Sequence, residues 1–314
     1  MKEAVFVKRN TDKWQEYEAT PTNDPDQLTE RFIEITDDLA YSRTFYPQSN
    51  VTRYLNGLAA QFHQKLYRNR PEDRNRLKSF WYTELPLLMY EVRYKLLYSF
   101  LFFIAACALG WLSAAYDDTF VRLILGDDYV NQTLENIKRG EPMGIYASQG
   151  RADMFMAITV NNIRVSFIAF VLGIFGSLGT IVVLFQNGIM LGSFQYFFFE
   201  RDLLMASLLK IWIHGTLEIS AIVIAGAAGL VMGHSLLFPG TYERLYAFKQ
   251  GAKKGLKIVI GLVPIFVMAG FLESFVTRLT LPPLISVIII LSSAVFIVWY
   301  FVLYPKQLAQ KSLQ

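Results

Sequence analysis

The sequence predicts an all-α membrane protein, in which a polytopic helical domain follows a soluble helical domain at the N-terminus. The 314 residues are 53% hydrophobic and the mean hydropathy is +0.31, which is too apolar for an ordinary soluble protein. Charged residues still make up 18%, which is too many for a bundle of membrane spans alone. We therefore expect residues 1–93 to form the soluble domain and residues 94–314 the transmembrane domain.

Residues 1–93 are expected to be helical and cytoplasmic. Asp24-Pro25-Asp26 opens a helix whose apolar positions recur every three or four residues up to Leu39. The opening stretch, MKEAVFVKRNTDKW, lacks the apolar core of a signal peptide, so we expect it to stay in the cytoplasm. The stretch from Phe80 to Tyr94 is rich in aromatic residues, which predicts a helix lying at the membrane interface.

Residues 94–314 are predicted to cross the membrane about six times, with a short or broken third span. Five stretches are clear candidates, at about 96–116, 165–185, 214–237, 258–276 and 284–304. Asn187-Gly188 is interpreted as a break, and residues 188–199 after it are short for a span, which needs ~20 residues. Residues 203–213 are then expected to form a re-entrant or surface piece.

Charge predicts the orientation. The loop 117–155 begins with two aspartates and is expected outside, whereas the lysine-rich stretch 242–257 is expected inside. An odd number of crossings must separate these two loops, so the 188–199 region has to supply the third span. Both termini are then cytoplasmic.

Polar side chains interrupt the apolar stretch 161–233. A charged group at the bilayer centre costs at least ~2.5–3.5 kcal/mol, so such residues normally face protein or trapped water. His214 and Glu218 lie four residues apart and share one helix face. Glu273 occurs near the outer end of a later span, where pairing with Arg278 is favoured over a gating role. The candidate functional residues are Asn161, Asn162, Arg164, Asn187, Gly188, His214, Gly215, Glu218 and Glu273.

Three interpretations of His214 and Glu218 remain open. In the first, they hydrogen-bond broken helix ends, as buried polar groups in lipid must. In the second, they relay a proton or line a path for an ion or polar substrate. In the third, they bind a metal for hydrolysis, which is disfavoured because two ligands fall short of the three that catalytic zinc sites use.

Several function classes find no support in the sequence. Cys107 is the only cysteine, so this chain alone can form no disulfide, cysteine-based zinc site or iron–sulfur cluster. The sequence lacks a nucleophile elbow, a phosphate loop and a dinucleotide fingerprint. A net charge of +4 gives no case for nucleic acid. We therefore expect no catalytic residues, no cofactor and no bound metal.

Two GxxxG pairs, Gly188/Gly192 and Gly229/Gly233, suggest close helix packing or a homodimer.

Three segments carry a resemblance to a known family. NNIRV, LFQNGIMLG and HGTLEISAIVIAGAAGLVMG, between Asn161 and Gly233, resemble the signature core of the stage II sporulation protein M family of polytopic membrane proteins. Weaker echoes occur in DDLAYSRTFYP and in FLESFVT, which spans Phe271–Thr277. One departure is Ile213, where the family is expected to have proline.

The resemblance implies a protein of the bacterial or archaeal inner membrane, with no necessary link to sporulation. It implies a non-enzymatic scaffold that recruits envelope or cell-wall machinery, so the expected partners are the lipid bilayer and envelope proteins. The alternative is a transporter or channel for an ion or small polar substrate, through the polar core around His214 and Glu218.

Overall fold

The computed structural model describes residues 2–20, 22, 24–67, 76–141 and 151–311, and within these ranges the chain is helical. The helices are α1 (Glu3–Ala19), α2 (Pro25–Phe45), α3 (Asn50–Tyr67), α4 (Arg76–Ser79), α5 (Leu85–Glu91), α6 (Arg93–Tyr116), α7 (Asp118–Leu125), α8 (Asp127–Lys138), α9 (Arg151–Val171), α10 (Leu178–Phe199), α11 (Leu204–Leu237), α12 (Arg244–Phe271), α13 (Pro283–Val298) and α14 (Tyr304–Lys311). Short π-helical turns occur at Phe80–Glu84, Leu272–Val276 and Trp299–Leu303, and a 3₁₀ turn at Leu172–Ile174.

The N-terminal unit, Met1–Arg76, has a hydrophobic core of its own. Ile35 of α2 and Leu55 of α3 are fully buried in this core, and Trp14 of α1 is buried with them. The Trp14 indole donates a hydrogen bond to Asp38 over 2.8 Å, and Tyr17 donates one to Glu34 over 2.7 Å. Burial and the Glu34 carboxylate raise the pKa of Tyr17 to about 12. These contacts tie α1 to α2.

The second unit, Leu77–Gln314, begins earlier than the boundary at residue 93 that the sequence suggested. The aromatic stretch before α6 packs against the membrane helices: Leu85 and Met89 are buried in their core. Lys254 and Lys257 of α12 form ion pairs with Glu91 and Glu84. The difference arises because aromatic content marks an interfacial helix without showing which unit covers its apolar face.

Among the described residues, six helices are long and apolar enough to span a membrane, which matches the predicted count. They are Arg93–Tyr116, Ala152–Ile174, Leu178–Phe199, Leu204–Leu237, Arg244–Val276 and Pro283–Lys311. The protein is therefore an all-α polytopic membrane protein.

The chain breaks at Gly176-Ser177, and the predicted break at Asn187-Gly188 does not occur. Gly176 and Ser177 have φ angles of 62° and 73°, so the chain reverses there in the left-handed region that glycine adopts most easily. Asn187 continues α10, and its side-chain amide donates to the Val183 carbonyl one turn earlier. Because of this shift, the third span is a full helix of 22 residues. It is neither short nor broken.

Residues 203–213 were expected to form a re-entrant or surface piece, and this expectation is also corrected. They enter α11, a continuous helix of 34 residues that begins at Leu204. At ~1.5 Å per residue this helix is about 50 Å long, more than the ~30 Å hydrocarbon core requires. The helix continues through Ile213 and His214 without a break.

Both GxxxG pairs mediate packing within the chain. A Cβ atom at Gly188 or Gly192 would collide with α6, at Ala106 and at the Cys107 carbonyl. The equivalent atom at Gly229 or Gly233 would collide with Thr180 or with Ser177. The glycines therefore let α6 lie against α10, and α11 against the turn between α9 and α10. Whether the protein also forms a homodimer stays a prediction.

The six-span topology can be tested by cysteine labelling in whole cells, in a Cys107→Ser background. A cysteine at Gln132, in the acidic loop, should react with an impermeant maleimide, whereas one at Lys249 should react only after lysis. Lys249 is chosen because it is exposed, whereas Gly251 beside it packs on Ser235. Labelling of Lys249→Cys in intact cells would reject this orientation.

Candidate functional site

Three ionisable side chains meet inside the membrane unit. His214 and Glu218 come from α11, and Glu273 comes from the π-helical turn that ends the fifth span. One ligand atom from each of these residues can be chosen so that all three atoms lie within 4.8 Å of one another. His214 Nε2 is 3.8 Å from a carboxylate oxygen of Glu273. The His214 side chain is 5% exposed and that of Glu273 is 12% exposed, so this cluster is shielded from bulk solvent.

The contact with Thr277 indicates which nitrogen of His214 carries the hydrogen. The Thr277 hydroxyl donates its one hydrogen to the Leu272 carbonyl, over 3.1 Å. The same oxygen lies 3.1 Å from His214 Nδ1, and we assign it as the acceptor of the Nδ1 hydrogen. In the neutral imidazole this leaves the lone pair on Nε2, the atom that faces Glu273. The ring is thus oriented to present a proton acceptor, or a metal ligand, to the carboxylate.

A strip of polar residues on α9 faces the same region. Asn162 is 4% exposed, and its side chain faces the Glu218 carboxylate. Its Nδ2 atom meets no acceptor within hydrogen-bond distance and angle, and the hydroxyl groups of Thr159 and Ser166 also have no protein partner. Thr159 lies against Gly270, one turn before Glu273. Buried polar atoms without a protein partner usually bind water or a ligand.

Toward the lysine-rich end of the helices, the cluster ends in an apolar core. Ala221 and Ala225 of α11 are fully buried, and Leu262 and Phe266 of α12 pack in the same hydrophobic cluster. This cluster also contains Leu85 from the segment before α6. Below Glu218 the site is therefore closed by an apolar core.

The remaining candidate residues lie elsewhere. Asn161 and Arg164 are exposed on α9, whereas Asn162 is buried. Asn187 bonds its own helix, and Gly188 packs on α6. Gly215 is buried beside His214, with room for a Cβ atom. The structure thus assembles Asn162, His214, Glu218 and Glu273 and leaves the other five candidates outside the cluster.

Sequence reasoning included Glu273 among the candidate residues without predicting its contact with His214, and it did not identify Thr277. It considered Glu273 in relation to Arg278 five residues later, because neighbours in sequence are the only partners that a sequence displays. A signal was nevertheless present, since Phe271–Thr277 is one of the two weaker segments of the family resemblance. With Glu273 the cluster has three ligands, and the objection that two ligands are too few for a metal no longer applies.

The fold and the site define the class of protein: an all-α polytopic membrane protein with an ionisable cluster inside its spans. The sequence model of the family described as stage II sporulation protein M matches residues 99–278, which is more than half of the chain. The protein belongs to this family. The matched range contains all four residues of the cluster and also Thr277.

A second family model, described as a domain of unknown function (DUF8413), matches residues 4–68 and so lies within the N-terminal unit. Comparison with curated proteins and with solved structures found no match.

The hydrogen bond between Thr277 and His214 can be tested by Thr277→Val, which keeps the shape and removes the hydroxyl group. The variant should lose about 1–3 kcal/mol of stability, because the buried Nδ1 hydrogen loses its acceptor. Thr216→Val is the matched control, since the Thr216 hydroxyl bonds only its own helix at the Trp212 carbonyl. Thermal unfolding in detergent measures both. Equal melting temperatures for the two variants would contradict the assigned contact.

Proposed function

We propose that this protein binds a cation, either a proton or a divalent metal ion, at His214, Glu218 and Glu273, and that it transports this cation across the membrane. The observation that supports the proposal is the presence of two carboxylates and an imidazole, with ligand atoms within 4.8 Å, inside a membrane-spanning unit. Under this proposal the protein binds and releases the cation and catalyses no chemical reaction.

Electrostatics supports a cation at this site. Two carboxylates this close in a medium of low dielectric repel each other strongly, so at least one must take up a proton or share a cation. His214 adds no positive charge in its neutral form, and its Nε2 lone pair can complete a coordination shell with the carboxylates. An imidazole with two carboxylates suits transition metals such as Zn²⁺ or Mn²⁺, and the same groups can also exchange a proton.

The surroundings favour a carrier over an open channel. The partnerless hydroxyl and amide groups of Thr159, Asn162 and Ser166 would solvate an ion on one side of the cluster. Below Glu218, the apolar core around Ala221, Leu262 and Phe266 excludes water. An ion at the site would reach the other side only after α11 and α12 separate, which is the alternating exposure that carriers use.

The proposal is tested with purified protein in liposomes. Wild-type protein should carry protons, read with a trapped pH-sensitive dye, or Zn²⁺ or Mn²⁺, read with a metal-sensitive dye. Glu218→Gln and Glu273→Gln should reduce the flux to the level of empty liposomes, since glutamine keeps the volume but cannot release a proton or bind a metal as an anion. Glu200→Gln, which changes an exposed carboxylate paired with Arg201, should leave the flux unchanged.

The same variants distinguish transport from a purely structural role. Glutamine still hydrogen-bonds, so a structural tie would survive Glu218→Gln and fail in Glu218→Ala, which leaves its neighbours unpaired at ~1–3 kcal/mol. Flux that is absent in the wild type, or that persists in both glutamine variants, would reject the transport function.

A scaffold function is the second candidate, and the two-unit architecture favours it. The N-terminal unit has its own core and matches its own family model, so it can bind a partner independently of the membrane helices. Ile33 and Phe45 of α2 are 54% and 56% exposed, so their apolar side chains would be available for contact with a partner. Under this proposal, the protein lies in a bacterial or archaeal inner membrane, with both termini in the cytoplasm, and recruits envelope proteins.

Cross-linking in cells tests the scaffold candidate. The full chain should form a cross-linked adduct with an envelope protein, and Ile33→Asp should weaken this adduct, because a charge enters the apolar contact. Gln64→Asp, at an exposed polar position of the same unit, is the control. An adduct that both variants form equally well would place the contact elsewhere and remove this support for a scaffold.

A further inference from the structure

A long apolar cleft runs along α6 on the other side of α11 from the ionisable cluster. Its volume is about 1110 Å³, and its walls come from α6, α10, α11 and the sixth span. The α6 residues that line the cleft extend from Arg93 to Trp111, a distance of about 27 Å. This length is close to the ~30 Å thickness of the hydrocarbon core. None of His214, Glu218 and Glu273 lines it.

The cleft opens sideways, toward lipid. α6 packs mainly on α10 and α11, whereas α13 packs on α11, so the first and sixth spans stand apart. Leu97 and Phe100 on one wall, and Val298 and Val302 on the other, are each about half exposed. Apolar walls that are open at this depth are in contact with hydrocarbon chains.

One end of the cleft is cationic. Arg93 at the start of α6 and Lys306 on α14 both line it, and α14 packs on α5, which brings the two cations to the same end. Both side chains are exposed, and neither takes part in the ion pairs found among the described residues. The Arg93 guanidinium lies 4.3 Å from the centre of the Tyr90 ring, which holds it at this edge.

We propose that this cleft binds one anionic phospholipid from the adjacent leaflet. Its phosphate lies between Arg93 and Lys306, and its acyl chains lie between α6 and the sixth span. Guanidinium and ammonium groups bind phosphate through charge-assisted hydrogen bonds. The apolar walls bind the chains by the same packing that holds the helices together.

The cationic end of the cleft favours a lipid over a transmembrane helix of a partner. A lipid phosphate would engage both Arg93 and Lys306, whereas an apolar helix would offer these cations no anionic partner.

The polar groups at the far end of the cleft also distinguish a lipid from a partner helix. Gln195 is 8% exposed, and neither polar atom of its side chain has a protein partner, nor does Nε1 of Trp212 beside it. A lipid chain of one leaflet, ~15 Å long, does not reach them, whereas a full-length helix would.

Native mass spectrometry of the detergent-purified full chain tests the proposal. Added phosphatidylglycerol should bind with one-to-one stoichiometry and more tightly than phosphatidylcholine. Arg93→Gln with Lys306→Gln should weaken phosphatidylglycerol binding about 30-fold, about fivefold for each cation removed. Arg244→Gln with Lys249→Gln removes the same charge from exposed positions outside the cleft and should have no effect. Gln195→Leu should also leave lipid binding unchanged.

Other outcomes overturn the proposal. Equal binding of the two lipids would show that the cleft does not recognise headgroup charge, and equal loss in the two double variants would show unspecific attraction of an anionic lipid to the basic surface. A protein adduct that displaces the lipid and weakens in Gln195→Leu would identify a partner helix as the occupant. If the double variant does not fold, Lys306→Gln alone, on the exposed face of α14, carries the test, and an affinity that remains equal to wild type rejects the site.

Discussion

The hydrocarbon core of the membrane offers no bulk water, so a polar group placed in it is costly unless the protein, a trapped water or a bound ion gives it a partner. This constraint explains the arrangement around α11. His214 and Glu218 lie inside the membrane unit only because α9 brings Asn162 and the end of the fifth span brings Glu273 and Thr277. Each of these residues would be costly alone in lipid. Together they form a site where a proton or a metal ion can neutralise the carboxylates.

Close packing of the helices makes such a site possible. α11 contributes small residues wherever a neighbour approaches, and Gly229 and Gly233 face Thr180 and Ser177 with no space for a Cβ atom. Below the cluster, Ala221 and Ala225 let α12 come near enough for Leu262 and Phe266 to close the core. The residues of α11 change from polar to small along its length. This one helix therefore contributes both to the ionisable cluster and to the apolar core below it.

α11 also connects the two sites of the membrane unit. His214 and Glu218 contribute to the ionisable cluster, whereas Trp212, Ile219 and Ser220 line the apolar cleft on the other side of the helix.

The sequence by itself determined the class of protein, the number of spans and the family. Long apolar stretches have few alternatives to a membrane helix, because an unpaired backbone in lipid is too costly. Sequence also identified His214 and Glu218 as neighbours, since a separation of four residues places both on one helix face whatever the rest of the chain does.

Only the tertiary structure decided where the helices end and which residues meet. The break at Gly176-Ser177 was missed because glycine is common in tightly packed spans, so one more glycine does not mark a turn until its φ angle is known. The Asn187-Gly188 pair carried the stronger turn signal, yet packing of Gly188 against α6 kept it helical. Glu273 joins His214 from 59 positions along the chain, a contact made by the packing of α11 and α12 that no local pattern contains.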